Sequence, residues 1–210
     1  MTILHFHGSA YGIYSQLGYL DHERESERLA DYSCFRGSSS GSLTALVAAY
    51  GLSGRSCVAA AVDLAQEWDL FGRPWSYLGR VHSFIDELLS HLLSGASQQR
   101  QLEVIATRLP TGQSITLRPA WNDQAEAIRM CHASMHIPIL CSFAPWFRHG
   151  PYRAVDGALH SPFPDPGEDT VVVNAQGRFT LLSPAQIWRQ YERAEVRTTV
   201  LRKSAAGTFG

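Results

Sequence analysis

Residues 35–43 read FRGSSSGSL, with three consecutive serines set between Gly37 and Gly41. The stretch DYSCF (31–35) precedes them and the helix-forming run SLTALVAAY (42–50) follows directly. GSSSG satisfies the pattern G-x-S-x-G with Ser39 at its centre. A serine hydroxyl is a poor nucleophile until it is exposed and activated. A tight strand-to-helix turn does the exposing, and small residues at 37 and 41 let that turn close and the helix pack near the strand. The helix start behind Ser39 adds the positive end of a helix dipole. Five such residues also suit an ordinary solvent loop, so the flanking pattern has to decide. A strand before and a helix after favour the nucleophile turn.

Working outward, TILHF (2–6) reads as a short strand and HGSAYG (7–12) as a loop. Ile13, Leu17, Leu20 and Leu29 fall near helical spacing between Gly12 and Ala30, with charges in the gaps, which predicts an amphipathic helix. DYSCF is the second strand, and the helix after the serines should close at Gly51. Helical patterns follow at 56–71 and 81–93, and 102–117 alternates as a hairpin around PTGQ. WNDQAEAIRMCHAS (121–134) starts with a capping Asn or Asp. HIPILCSF (136–143) reads as a buried strand or extended run, APWFRHGPYR (144–153) as loop, and TVVVNA (170–175) as strand. Ser183 caps a last helix over 183–194 with Pro184 at its first position. Strands alternating with helices predict an α/β three-layer sandwich with a mainly parallel central sheet. One domain over 1–203 with a frayed tail at 204–210 is the expected organisation.

The charge balance, 18 Lys plus Arg against 19 Asp plus Glu, leaves no basic stripe and argues against nucleic acid as a partner. Cys34, Cys57, Cys131 and Cys141 form no CxxC pair and read as buried free thiols of a reducing compartment. MTILHFHG enters a strand with no secretory-signal pattern, and no run reaches the roughly 18 apolar residues of a membrane span. The expectation is a soluble, cytoplasmic protein that meets membranes only peripherally. Only 38 residues precede Ser39, room for one strand–helix unit and the turn strand. That is too few for the strand order of an α/β-hydrolase.

Four stretches together resemble the patatin-like phospholipases, in particular the subgroup of adipose triglyceride lipase and adiponutrin. FHGSAYGIYSQLGYL is similar to the family's glycine-rich first loop and its helix, and RGSSSGSLTALVAAYGL to its nucleophile turn. LEVIATRLPTGQSITL is similar to the hairpin that follows. CHASMHIPIL, continued by PWFRHGPYRAVDGAL, is similar to the run ending in the Asp-Gly-Gly/Ala motif. They span residues 5 to about 164 in the family's order.

The resemblance implies a Ser–Asp dyad, with Ser39 the nucleophile and Asp156 of AVDGAL the base. Gly157 and Ala158 complete the acid motif, and backbone N–H groups of Gly8, Ser9 and Ala10 form the oxyanion hole. By the residues alone, Asp156–Gly157 suits an ordinary turn equally well. The loop keeps only Gly8 and Gly12, and the family's downstream asparagine falls on Pro162 or its neighbour. The activity implied is hydrolysis of fatty-acyl esters of phospholipids, lysophospholipids or glycerides at an interface, with no cofactor and no metal. An inactive lipid-binding or interaction relative, and an acyltransferase with the same nucleophile, are the other readings.

The remaining candidates point less far. His132 and His136 stand four apart beside Cys131, but Ile137–Pro138 ends the helix there and no Glu lies between them, against a metal site. His5 and His7 share a face of the first strand and read as a tolerated surface pair or as lining near the first loop. Trp146 and Phe147 suit either an acyl-chain entrance or a loop anchor.

Overall fold

The computed structural model describes residues 2–159, 169–175, 177 and 182–201. Eight strands make one mixed sheet: β1 (Thr2–Phe6), β2 (Cys34–Ser38), β3 (Gln101–Leu109), β4 (Gln113–Leu117), β5 (Phe147–His149), β6 (Tyr152–Val155), β7 (Asp169–Ala175) and β8 (Val196–Leu201). Six helices accompany them: α1 (Ile13–Glu25), α2 (Gly41–Ala49), α3 (Gly54–Glu67), α4 (Val81–Leu92), α5 (Gln124–Met135) and α6 (Pro184–Arg193). Hydrogen bonding runs β5-β6-β3-β2-β1-β7-β8, with β4 also on β3.

The expected mainly parallel sheet is corrected to a mixed one. β1 pairs in parallel with β2 and β7, and β2 with β3, as strand–helix–strand crossovers require. The β3–β4, β5–β6, β3–β6 and β7–β8 pairings are antiparallel. The β3–β4 and β5–β6 pairs come from short connections that return the chain alongside itself, while β6 returns to β3 after α5 and β8 to β7 after α6. The stretch expected to be loop, APWFRHGPYR, holds β5 and the first half of β6, a hairpin turning at Gly150–Pro151. The run HIPILCSF is no strand: it turns back on itself at Ile139, whose N–H donates to Ser142 O at 2.8 Å.

A three-layer sandwich is likewise not what the described residues form. The six helices touch one another as one connected layer. They cover the sheet face that carries Leu4, Phe6, Phe35, Leu102, Val104, Ala106 and Val173, all buried in a single apolar cluster. α2 lies at its centre with every residue buried, which is why SLTALVAA shows no amphipathic stripe. The opposite face carries His5, Arg36 and Glu103, and among the described residues no helix covers it. Arg36 Nε donates to Glu103 Oε2 at 2.7 Å and Arg118 Nε to Oε1 at 2.6 Å, pairing a carboxylate that is only 3% exposed. His5 sits beside this network at 1% exposure, so it is a buried group rather than a surface one. Burial drives its pKa down to about 3, aided by His7 and Arg36, and it stays neutral.

Register sets up the site. Val104 and Ile105 of β3 pair with β2 and also with β4, so those two strands lie on opposite edges of β3. Thr107 pairs with both β4 and β6, which puts β6 on the same edge as β2. β2 ends at Ser38 opposite Ile105, and β6, running the other way, ends at Val155 opposite Thr107. The two strand ends therefore meet head to head across Ala106, and the next residues are Ser39 and Asp156.

Candidate active site

Ser39 Oγ donates a hydrogen bond to Asp156 Oδ2 at 2.6 Å, a separation typical of a hydroxyl on a carboxylate. The turn that presents the serine is strained, for Ser39 has φ 52°, a left-handed conformation costing about 1–2 kcal/mol in a residue with a Cβ. Several contacts hold it there. Ser42 N–H and Ser42 Oγ both donate to Ser39 O, at 2.9 and 2.6 Å. The Ser39 N–H donates to Ser134 Oγ at 2.9 Å, and that hydroxyl in turn donates to Ile105 O.

Close backbone approach explains the small residues. A Cβ on Gly37 would stand 2.4 Å from Gly41 O, and one on Gly41 2.1 Å from Phe6 O. A Cβ on Gly157 would meet Ile105 O at 2.0 Å, so the chain after the acid crosses β3 too tightly for any side chain. At Gly8 it would meet Ser39 and Ala158 side chains at 2.8 and 2.9 Å, which puts the first loop directly against both halves of the pair.

Asp156 is 4% exposed and anchored on every side. Its N–H donates to His136 O (3.0 Å), its O accepts from Thr107 Oγ1 (2.8 Å), and Oδ1 accepts from the Ala158 N–H (2.8 Å). Gly157 N–H donates to Ser134 O at 2.7 Å. Burial raises the Asp156 pKa, and the hydrogen bonds from Ser39 and Ala158 pull it partly back. The outcome is a carboxylate more basic than an exposed one and already aimed at a hydroxyl.

The first loop is less open than the resemblance implies. Gly8 N–H donates to Ser38 Oγ at 3.2 Å and Ser9 N–H to Ser40 Oγ at 3.1 Å, so the serines flanking Ser39 occupy two of the three expected donors. For the Ala10 N–H no acceptor occurs among the described residues. Ala10, at φ 47°, starts a one-turn 3₁₀ segment leading into α1. Gln16, fully buried, fastens this loop: its Nε2 donates to His7 O at 2.7 Å and its Oε1 accepts from Thr44 Oγ1 of α2 at 3.3 Å.

Ala10, Ser39 and Ser40 are among the residues lining a cavity of about 150 Å³. The rest of its wall is almost wholly apolar, with Leu17, Val47, Phe84, Leu88, Met135 and Ile137 among its residues. An apolar void of roughly that size holds a benzene-sized hydrocarbon. Phe147 packs edge-on against His82 and His132, as a loop anchor does, while Trp146 stays exposed with Arg153 stacked over its ring at 4.6 Å. His132 and His136 surround His82, with stacked rings 4.3 Å apart for His82 and His132. Among the described residues no three His, Cys, Asp or Glu side chains are placed to hold a metal ion. All four cysteines are buried, and none is in a disulfide. No described helix is long and apolar enough to cross a membrane.

Thus Ser39, Asp156, Gly8, Ala158, Gly37, Gly41 and Gly157 lie together, while Gly8 and Ser9 turn their amides inward. Motif reading missed Ser134, Gln16 and Thr107. Each sits inside a helix or strand, where a small polar residue carries no local signal. Only a buried polar position on an otherwise apolar face marks Ser134 and Gln16.

No protein-family model matches the chain, and no curated protein matches it. VipD from Legionella pneumophila is among the solved structures similar to it, with a TM-score of 0.49 and 12% identity. That likeness covers 78% of this chain and 47% of VipD, so the chain spans less than half of VipD's length.

Proposed function

We propose that the chain is a serine acyl-ester hydrolase of the patatin-like type, acting on fatty-acyl esters through a Ser39–Asp156 dyad. One observation carries this reading: the 2.6 Å contact between a strained, partly exposed serine that lines an apolar cavity and a buried carboxylate. An acyl chain enters the cavity and its carbonyl carbon comes within reach of Ser39 Oγ. Asp156 takes the hydroxyl proton as the C–O bond forms. The tetrahedral oxygen needs N–H donors, and the Ala10 amide is the one at hand; those of Gly8 and Ser9 join when the Ser38 and Ser40 hydroxyls turn away. Collapse expels the alcohol, which takes the proton from Asp156. Water, deprotonated by the same carboxylate, then releases the fatty acid. No cofactor enters this chemistry.

Two engaged amides favour a slow enzyme over a fast one, since each missing oxyanion donor lowers the rate by roughly 10²–10³-fold. The substrate class is a phospholipid, lysophospholipid or glyceride presented at a membrane or droplet surface. Turnover of p-nitrophenyl acyl esters tests the reading. The wild-type protein should release p-nitrophenol and Ser39→Ala should fall to background; equal rates from both would remove Ser39 from the chemistry.

A further inference from the structure

Large apolar side chains stand in water on the segments that line part of the cavity. Trp75 and Phe143 are each 78% exposed, Ile139 63%, Leu78 39% and Trp146 37%. They come from two segments that lock together. Gly79 N–H donates to Leu140 O at 3.0 Å, and the Phe143 ring lies over Gly79, where a Cβ would meet it at 2.5 Å. Between these exposed residues, Tyr77, Ile137, Leu140 and Cys141 of the same segments line the cavity. The same two segments thus carry both solvent-exposed apolar side chains and part of the wall of the cavity that Ser39 also lines. Exposed apolar patches of this kind mark interaction sites rather than chance.

The backbone holds one of these residues outward against its own preference. Ile139 has φ 73°, a conformation that β-branched side chains rarely adopt. A strained turn that displays an isoleucine to water indicates a contact to be made outside the molecule.

Charge identifies the partner. Residues 70–85 and 136–155 contain Arg73, Arg80, Arg148 and Arg153 and no Asp or Glu, in a chain with one more acidic than basic residue overall. Arg73 is paired with Asp69 at 2.6 Å. Arg80, Arg148 and Arg153 form no ion pair among the described residues. Arg80 stacks over Trp68 at 4.3 Å, and Arg148 and Arg153 are register partners across the β5–β6 hairpin. Aromatic side chains flanked by guanidinium groups suit the boundary between acyl chains and anionic headgroups.

We propose that Trp75, Leu78, Ile139, Phe143 and Trp146, together with Arg80, Arg148 and Arg153 of the same two segments, seat the protein on an anionic phospholipid surface with the cavity facing the lipid. This rests on the hydrolase reading for its purpose but not for its test. Binding is measured by co-sedimentation with vesicles of phosphatidylcholine alone or with phosphatidylserine added, using Ser39→Ala so that no lipid is consumed. Ser39→Ala should bind the phosphatidylserine vesicles about tenfold or more tighter than the neutral ones, each arginine near such a surface being worth roughly fivefold. Adding Trp75→Ser with Phe143→Ser should weaken binding to both vesicle types by tenfold or more, as loss of two inserted aromatics requires. Adding Arg148→Glu with Arg153→Glu should erase only the preference for phosphatidylserine.

In the Ser39-containing protein, the same two pairs should leave p-nitrophenyl ester turnover and the thermal midpoint unchanged. Failure to bind phosphatidylserine vesicles, or binding unaltered by both pairs, overturns the proposal. So does self-association that depends on Trp75 and Phe143 in place of vesicle binding, which would assign the patch to a second copy of the chain. Loss of the hydrolase reading would show instead as absent ester turnover with vesicle binding intact.

Discussion

Replacing Ser134 by alanine removes a hydroxyl that joins the nucleophile turn to the sheet. Its oxygen accepts from the Ser39 N–H at 2.9 Å and its proton goes to Ile105 O, and the residue is 0% exposed. Loss of the hydroxyl leaves a buried N–H without its acceptor, a cost of about 1–3 kcal/mol. The left-handed backbone at Ser39 stores strain of about the same size, ~1–2 kcal/mol, so the turn gains by relaxing once that bond is gone. Both Ser42 contacts to Ser39 O persist, and the turn shifts rather than unfolds. The expected destabilisation is about 2 kcal/mol, or roughly 4–8 °C in the thermal midpoint of a chain this size. A shift near 1 Å at the hydroxyl costs on the order of 10²-fold in turnover. The assays are thermal unfolding and steady-state ester hydrolysis well below the midpoint, with kcat lowered and KM nearly unchanged. A Ser134→Ala protein that keeps kcat within about twofold would refute the claim that this bond positions Ser39.

Asp156→Asn should abolish turnover while raising stability at neutral pH. Its folded pKa lies above the unfolded value, so the unfolded state holds fewer protons between the two and stability falls as pH rises through that window. The neutral amide escapes that loss and still offers an oxygen to Ala158; a lower midpoint for the variant at pH 7 would count against it. In the wild type the same carboxylate must be ionised to act, so the acid limb of the rate profile should lie above the ordinary carboxylate range, and a limb at or below that range would oppose the assignment. His5 works in the opposite sense. With its pKa lowered to about 3, its contribution is complete above the unfolded value near 6.5 and is lost as pH falls below it. Between pH 7 and 5 this amounts to about 2 kcal/mol in urea unfolding, and His5→Leu should flatten the dependence by that much. An unchanged slope in the variant would place the acid sensitivity elsewhere.

Much of the site was legible because its signals are local. GSSSG carries its own geometry: glycines where a Cβ would strike backbone, a strand before and a helix after. Asp156 offered no such certainty, since an Asp-Gly turn looks the same whether or not a serine lies across from it. Only the resemblance singled it out, and the register around Ala106 supplies the physical reason for the encounter. The hairpin at 102–117 was legible as β3–β4, but the β5–β6 hairpin escaped notice because its strands are three and four residues long and flank a Gly-Pro turn. HIPILCSF misled in the other direction: an apolar run with Ile, Leu and Phe suggests a buried strand, yet it folds back at Ile139 and displays Ile139 and Phe143 to solvent. No strand was expected after the last helix, although RTTVL (197–201) has the β-branched content of one and forms most of β8. The engaged amides of Gly8 and Ser9 were beyond any sequence reading, because they depend on where the Ser38 and Ser40 hydroxyls point.

The most direct measurement is covalent labelling with a fluorophosphonate, followed by mapping of the modified peptide. A nucleophilic Ser39 predicts one adduct on the peptide containing it, none in Ser39→Ala, and strongly slowed formation in Asp156→Asn. An adduct that survives Ser39→Ala, or one found on another residue, would contradict the account.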